Sequence, residues 1–275
     1  MTRIITIASG KGGVGKTTIT ANLGIALAQR NQRVLVVDAD VAMANLSLLL
    51  GMQSSPITLH DVLLGESSIH DAIYDGPGGV HFIPSGLSLE SYRRVDPERL
   101  ESVIKEISAS YDFVLLDAPA GIEKSVMASL AAADEILLVT IPNSPSVADV
   151  LKTKIVAQRI GSRPIGVILN FLRGEKGEIS DDDIMKMLEL PIYGMIPYDP
   201  EVRKSFMQEN VAPVIIRKPE SPASVAIHKM AAKLSGVSVE IKAVKAKNKG
   251  LFARLFGFFK RKKKADAAEI KKEMS

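Results

Sequence analysis

Gly10-Lys11-Gly12-Gly13-Val14-Gly15-Lys16-Thr17-Thr18 follows directly on an apolar run, residues 4–8, and opens a helix-length segment, residues 16–30. The order G-x-x-x-x-G-K-[ST] is that of a phosphate-binding loop. Glycines let the backbone turn so tightly that successive N–H groups can point at phosphate oxygens. The helix that follows offers the positive end of its dipole to the same charge. In this pattern Lys16 reaches the β- and γ-phosphates and the Thr17 hydroxyl ligates Mg²⁺. A rival pattern is also present: Gly10, Gly12 and Gly15 spell G-x-G-x-x-G, and Asp38 ends the next apolar run where a dinucleotide fold carries its ribose acid. That pattern has no use for the Lys16-Thr17 pair and leaves Asp117 unexplained, so the phosphate loop is preferred.

Outward from the loop, apolar runs of strand length alternate with amphipathic stretches of helix length. Strands are expected at 4–8, 34–38, 80–84, 113–117, 135–141, 165–170 and 192–196. They are nearly continuous in Val, Ile and Leu, as strands covered on both faces are. Helices are expected at 16–30, 97–108, 124–132, 146–160, 181–188, 200–209 and 222–234. The expected class is α/β: a doubly wound, mostly parallel sheet flanked by helices. Ser180-Asp181-Asp182-Asp183 is a helix N-cap with acids in the first turn rather than a metal site. His60, His70, His81 and His228 form no metal motif.

The chain has 275 residues, 46% hydrophobic and 24% charged, enough for one large domain. It has no cysteine, which excludes disulfides and Cys-ligated zinc or iron–sulfur clusters within the chain. The net charge of +4 is unevenly spread. Residues 241–275 carry +9, which leaves residues 1–240 at −5. A basic nucleic-acid surface on the folded part is therefore not expected, and nucleic acid is an unlikely partner. No stretch reaches the roughly 18 apolar residues of a spanning helix. The composition changes after Gly236, dividing the chain into a phosphate-loop domain at 1–236, a Lys-rich tether at 237–249, an amphipathic segment at 250–264 and a charged end at 265–275.

Phe113-Val114-Leu115-Leu116-Asp117-Ala118-Pro119-Ala120-Gly121 fits a second nucleotide-site strand. It delivers the Asp117 carboxylate to the outer shell of the magnesium and places Gly121 to sense a γ-phosphate through its N–H. Ile168-Leu169-Asn170 ends another strand with an amide able to pair with a purine edge. No Asn-Lys-x-Asp signature of guanine readers is present, which favours ATP.

The nine-residue loop resembles the deviant Walker A loop of the ParA/MinD ATPases, whose mark is an additional early lysine, here Lys11. The resemblance implies that Lys11 acts across an ATP-sandwiched homodimer on the partner's nucleotide, as an arginine finger does. It implies that Asp38 supports the magnesium shell and that Asp40 positions and polarises the attacking water. It assigns Asn45 to a first switch and Gly121 to a second. Pro197-Tyr198-Asp199 resembles the family's second adenine-side segment. Together with the loop residues Gly10 to Thr18 and with Asn170, Pro197 and Asp199 complete the expected ATP contacts. The family usually has a basic residue after this Asn, whereas here Phe171 follows.

The segment Leu251–Phe259 holds four of the eight Phe. On a helical wheel Leu251, Phe252, Leu255, Phe256, Phe258 and Phe259 fall in one arc of about 160°, with Arg254, Lys260 and Arg261 outside it. Lys262, Lys263 and Lys264 extend the charge. A Phe/Leu face against a Lys/Arg face is the pattern of an interfacial membrane helix attracted to anionic lipids. It also resembles the C-terminal membrane-targeting helix of MinD-type members. The resemblance covers about residues 1–264. It implies a cytoplasmic ATPase, peripheral on the inner face of the cell membrane, that positions an effector or cargo protein in division-site placement or polar organisation. ParA-type segregation and FlhG-type flagellar placement are the alternatives within the same chemistry.

Overall fold

A computed structural model describes residues 1–40, 45–52, 55–86, 96–207 and 211–236. The tether, the amphipathic segment and the charged end lie outside the described residues. In chain order the elements are β1 (Arg3–Ser9), α1 (Lys16–Ala28), β2 (Val34–Asp38), α2 (Leu46–Leu49), α3 (Leu59–Leu64), β3 (Tyr74–Asp75) and β4 (His81–Ile83). Then follow α4 (Leu100–Ser108), β5 (Phe113–Ala120), α5 (Lys124–Ala131), β6 (Glu135–Thr140), α6 (Ser144–Arg159), β7 (Arg163–Leu172) and α7 (Asp181–Leu188). β8 (Ile192–Pro197), α8 (Pro200–Lys204), α9 (Val214–Arg217) and α10 (Pro222–Ser235) complete it.

The sheet runs β3-β4-β2-β5-β1-β6-β7-β8. Every pairing is parallel except β3 with β4. Alternate residues of each strand feed different cores. Ile5, Ile7, Val34, Val36, Leu115 and Val139 pack with α1 and α10 on one face. On the other face Ile4, Leu35, Val37, Val114 and Leu116 meet α3 and α4, and Ala8, Ala118, Ile136, Leu138 and Val167 meet α5, α6 and α7. Burial on both faces is why these strands read as unbroken apolar runs. α1 is buried along most of its length, which explains its Ala/Leu/Ile composition without a polar stripe.

All seven expected strands are present. The seven expected helices are present too, but α8 ends at Lys204 rather than 209. β3 and the helices α2, α3 and α9 were not anticipated. Ser180 caps α7 as expected, its Oγ accepting the Asp183 N–H. α10 ends at Ser235 with Gly236 in the left-handed conformation at φ 68°. Arg3 holds that end, donating to the Leu234 carbonyl at 2.7 Å while it pairs with Glu135. Strand order changes direction around β1, so the C-terminal ends of β1, β2 and β5 open onto one crevice, the usual ligand position in such sheets.

Candidate active site

The loop after β1 is shaped by positive φ at Gly13 (80°) and Gly15 (89°). A Cβ on Gly15 would stand 2.3 Å from the Asn170 side-chain nitrogen, and one on Gly10 would stand 2.3 Å from the Asp149 backbone in α6. Only glycine fits either place. Val14 is buried beneath the loop, and Gly12 and Gly13 are exposed. α1 starts at once, with Gly15 at its N-cap, no side-chain cap bond and no acid in its first turn. A helix start that supplies no side-chain anion of its own suits an anionic ligand.

Lys16 is buried, and its Nζ lies 2.8 Å from Oδ1 of Asp117, itself 1% exposed. Thr17 Oγ1 is 3.5 Å from the same Nζ. Thr20, one turn along α1 and fully buried, brings its hydroxyl to 3.1 Å from Asp117 Oδ1. Thr20 is a site residue that no motif marks, although its i+4 spacing from Lys16 puts both on one helix face.

Asp38 and Asp117 are register partners on neighbouring strands. Burial, and then the charge of Asp117, push the Asp38 carboxyl well above the usual carboxylate range. A carboxyl raised in the folded state gives stability that is present at low pH and lost as pH rises, so the ionised pair calls for positive charge. Asp38 also organises the chain after β2. Its Oδ1 accepts the Asp40 N–H at 3.2 Å and its Oδ2 accepts the Leu46 N–H at 3.1 Å. Asp40 is thus held at the crevice rim, half-buried, and Asn45 stands at the N-cap of α2. Gly121, at φ 99°, donates its N–H to the Ser9 carbonyl at 3.4 Å, which ties the segment after β5 to the end of β1.

Asn170 sits beside the loop, not remote from it. Its Nδ2 donates to the Val14 carbonyl at 2.8 Å, which fixes the amide orientation. A mostly apolar cavity of about 370 Å³ runs from Gly15, Thr18 and Ile19 past Asn170 and Phe171 to Pro197 and Tyr198. Asp199 lines it too, and its carboxylate holds neighbouring elements together. Oδ1 accepts the Glu201 N–H at 2.9 Å and Oδ2 the Ala223 N–H at 3.1 Å, so it caps α8 and ties α10 to it. Asp199 thus lines the cavity in which its base contact was expected and also fixes that wall in place.

Residues 5–231 match the family described as the CobQ/CobB/MinD/ParA nucleotide binding domain. The chain belongs to this family. Among individual proteins, this MinD/ParA-type chain is 45% identical over 257 residues to an uncharacterised ATP-binding protein of Methanocaldococcus jannaschii, spanning 91% of the chain and 97% of the relative. Among solved structures it resembles the septum site-determining protein MinD of Pyrococcus horikoshii complexed with Mg-ADP, with 38% identity, a TM-score of 0.82, and coverage of 90% of this chain and 100% of that one. It also resembles the MinC:MinD cell division protein complex of Aquifex aeolicus, with 33% identity, a TM-score of 0.77, and coverage of 86% and 97%.

The MinD/ParA chain is a P-loop ATPase that uses ATP with Mg²⁺, and its residues fit that metal. No cluster of three or more His, Cys, Asp or Glu forms a metal cage among the described residues. Magnesium in phosphate sites rarely has such a cage; it takes a few hard oxygens and the substrate phosphates. The Thr17 hydroxyl and the carboxylates of Asp117 and Asp38 are oxygens of this kind, and Lys16 is the only cation bonded to either acid among the described residues.

Proposed function

We propose that this MinD/ParA ATPase is a MinD-type switch. It dimerises around ATP, attaches to an anionic membrane through residues 250–264, and positions a partner protein in division-site placement or polar organisation. The observation that carries the reading is Lys11, half-buried in the phosphate loop, with no side-chain hydrogen bond or ion pair to other described residues. Lys16, by contrast, is committed to Asp117 within the same chain. A second loop lysine without a counter-ion among the described residues suits a contact made between subunits. Resemblance to a MinD solved with its MinC partner supports the division reading.

The chain's own groups divide the work. The loop turns of Gly13 and Gly15 and the start of α1 hold the phosphates, and Lys16 binds their charge. Bound magnesium neutralises phosphate charge. Asp40, fixed through Asp38, orients the water and takes its proton. Lys11 adds cationic stabilisation from across the dimer as the γ-phosphoryl leaves.

A single short amphipathic helix gives marginal, reversible attachment. Each Lys or Arg near an anionic surface adds about 1 kcal/mol, reduced by salt. Two tails on one dimer raise avidity by roughly 10²–10⁴. ATP therefore switches attachment on, and hydrolysis switches it off. Co-sedimentation with anionic liposomes is expected with ATP and not with ADP. It should weaken at high salt and vanish in Phe256→Glu or on truncation after Lys249. Equal binding with ADP and ATP would contradict the switch.

A further inference from the structure

Phe171 is one of three described non-glycine residues with positive φ, at 56°. The other two, Asn31 and Glu189, follow α1 and α7, where helices commonly end in this conformation. Phe171 instead lies within β7, where the register with β8 shifts between Leu169 and Leu172. A bulky side chain holds such a backbone inside a strand only when its surroundings impose it, and such residues cluster at ligand sites. A bulge re-aims the side chain at that point.

The re-aimed ring forms a wall common to two cavities. One is the apolar cavity beside the phosphate loop, and the other, of about 540 Å³, opens between Pro142, Asn143 and the loop at 173–178. The ring's Cζ lies 3.6 Å from where a Cβ on Gly15 would stand, so the ring borders the loop itself. The segment beyond it is tied down. Arg173 lies 3.7 Å over the Tyr198 ring, and the Glu178 carboxylate accepts the N–H groups of Arg173 and Gly174 at 2.8 and 3.0 Å.

We propose that Phe171 is the base-stacking residue of this site. Its ring presents a flat apolar face to the nucleobase, and the left-handed bulge is what brings it there. Asn170, oriented by Val14, reads the edge of the base, whereas Phe171 supplies affinity that is indifferent to base identity, because every base has a π-face. The inference rests on reading the apolar cavity as the base pocket of the ATP site.

The chain has no Trp, so Phe171→Trp places a single fluorescent reporter at the wall. Saturable quenching by ADP is expected, with none from tripolyphosphate, which has no base. By calorimetry, Phe171→Leu should weaken ADP about ten- to a hundredfold and leave tripolyphosphate binding and the ADP-to-GDP ratio unchanged. Phe171→Gly should weaken ADP alike without lowering the melting temperature, since glycine adopts this backbone freely. A structural role for the ring would instead lower that temperature. Wild-type ADP affinity no better than that of tripolyphosphate would overturn the base-pocket reading, and the proposal with it. Strong wild-type ADP binding that Phe171→Leu retains would overturn the proposal alone.

Discussion

Lys16→Ala is expected to abolish nucleotide binding and to loosen the fold at the same time. The Lys16–Asp117 pair is 2.8 Å long, with side chains only 8% and 1% exposed. Removing the cation leaves Asp117 buried beside its register partner Asp38 with no basic side chain among the described residues bonded to it. Breaking a buried pair from one side costs about 3–5 kcal/mol, far more than an exposed pair is worth. The Thr20 hydroxyl stays on Asp117 but carries no charge. Urea unfolding should show this loss at neutral pH, and calorimetry should find no ADP binding. A variant as stable as the parent would mean that Asp117 is not held by Lys16.

Asp40→Ala is expected to separate binding from chemistry. In the proposed site the loop and α1 hold the phosphates, whereas Asp40 stands on a different strand end, its backbone held by Asp38. Removing a group that orients and deprotonates water costs about 10²–10⁴-fold in rate. The fall should appear in kcat with KM little changed, as for an interaction made in the transition state. Phosphate release under saturating MgATP measures it, and wild-type turnover would remove Asp40 from the role of water-positioning acid.

Much of this site was legible in the sequence because its parts are long or rigidly patterned. The loop glycines, the Lys16-Thr17 pair and the buried strands ending in Asp38 and Asp117 each leave a local signature. Elements of two to four residues, β3, α2 and α9, span only about one period of their own hydrophobic pattern, too little for a repeat to show. The expected helix from Pro200 overran Lys204 because propensity alone does not mark a helix end. Contacts between distant residues were not legible. Nothing near Asp199 shows that its carboxylate ties α10 to α8 through Ala223, and nothing near Asn170 shows that its amide meets Val14. Phe171 is the sharpest case, since a phenylalanine gives no sign that its backbone is left-handed.

ATP-controlled dimerisation is the central claim, and sedimentation velocity on Asp40→Ala tests it most directly, because slow hydrolysis keeps ATP in place through the run. With MgATP the protein should sediment as a dimer and with MgADP as a monomer. Adding Lys11→Ala should return the ATP form to monomer while ADP affinity survives. A monomer with both nucleotides, or a dimer indifferent to Lys11, would contradict the account.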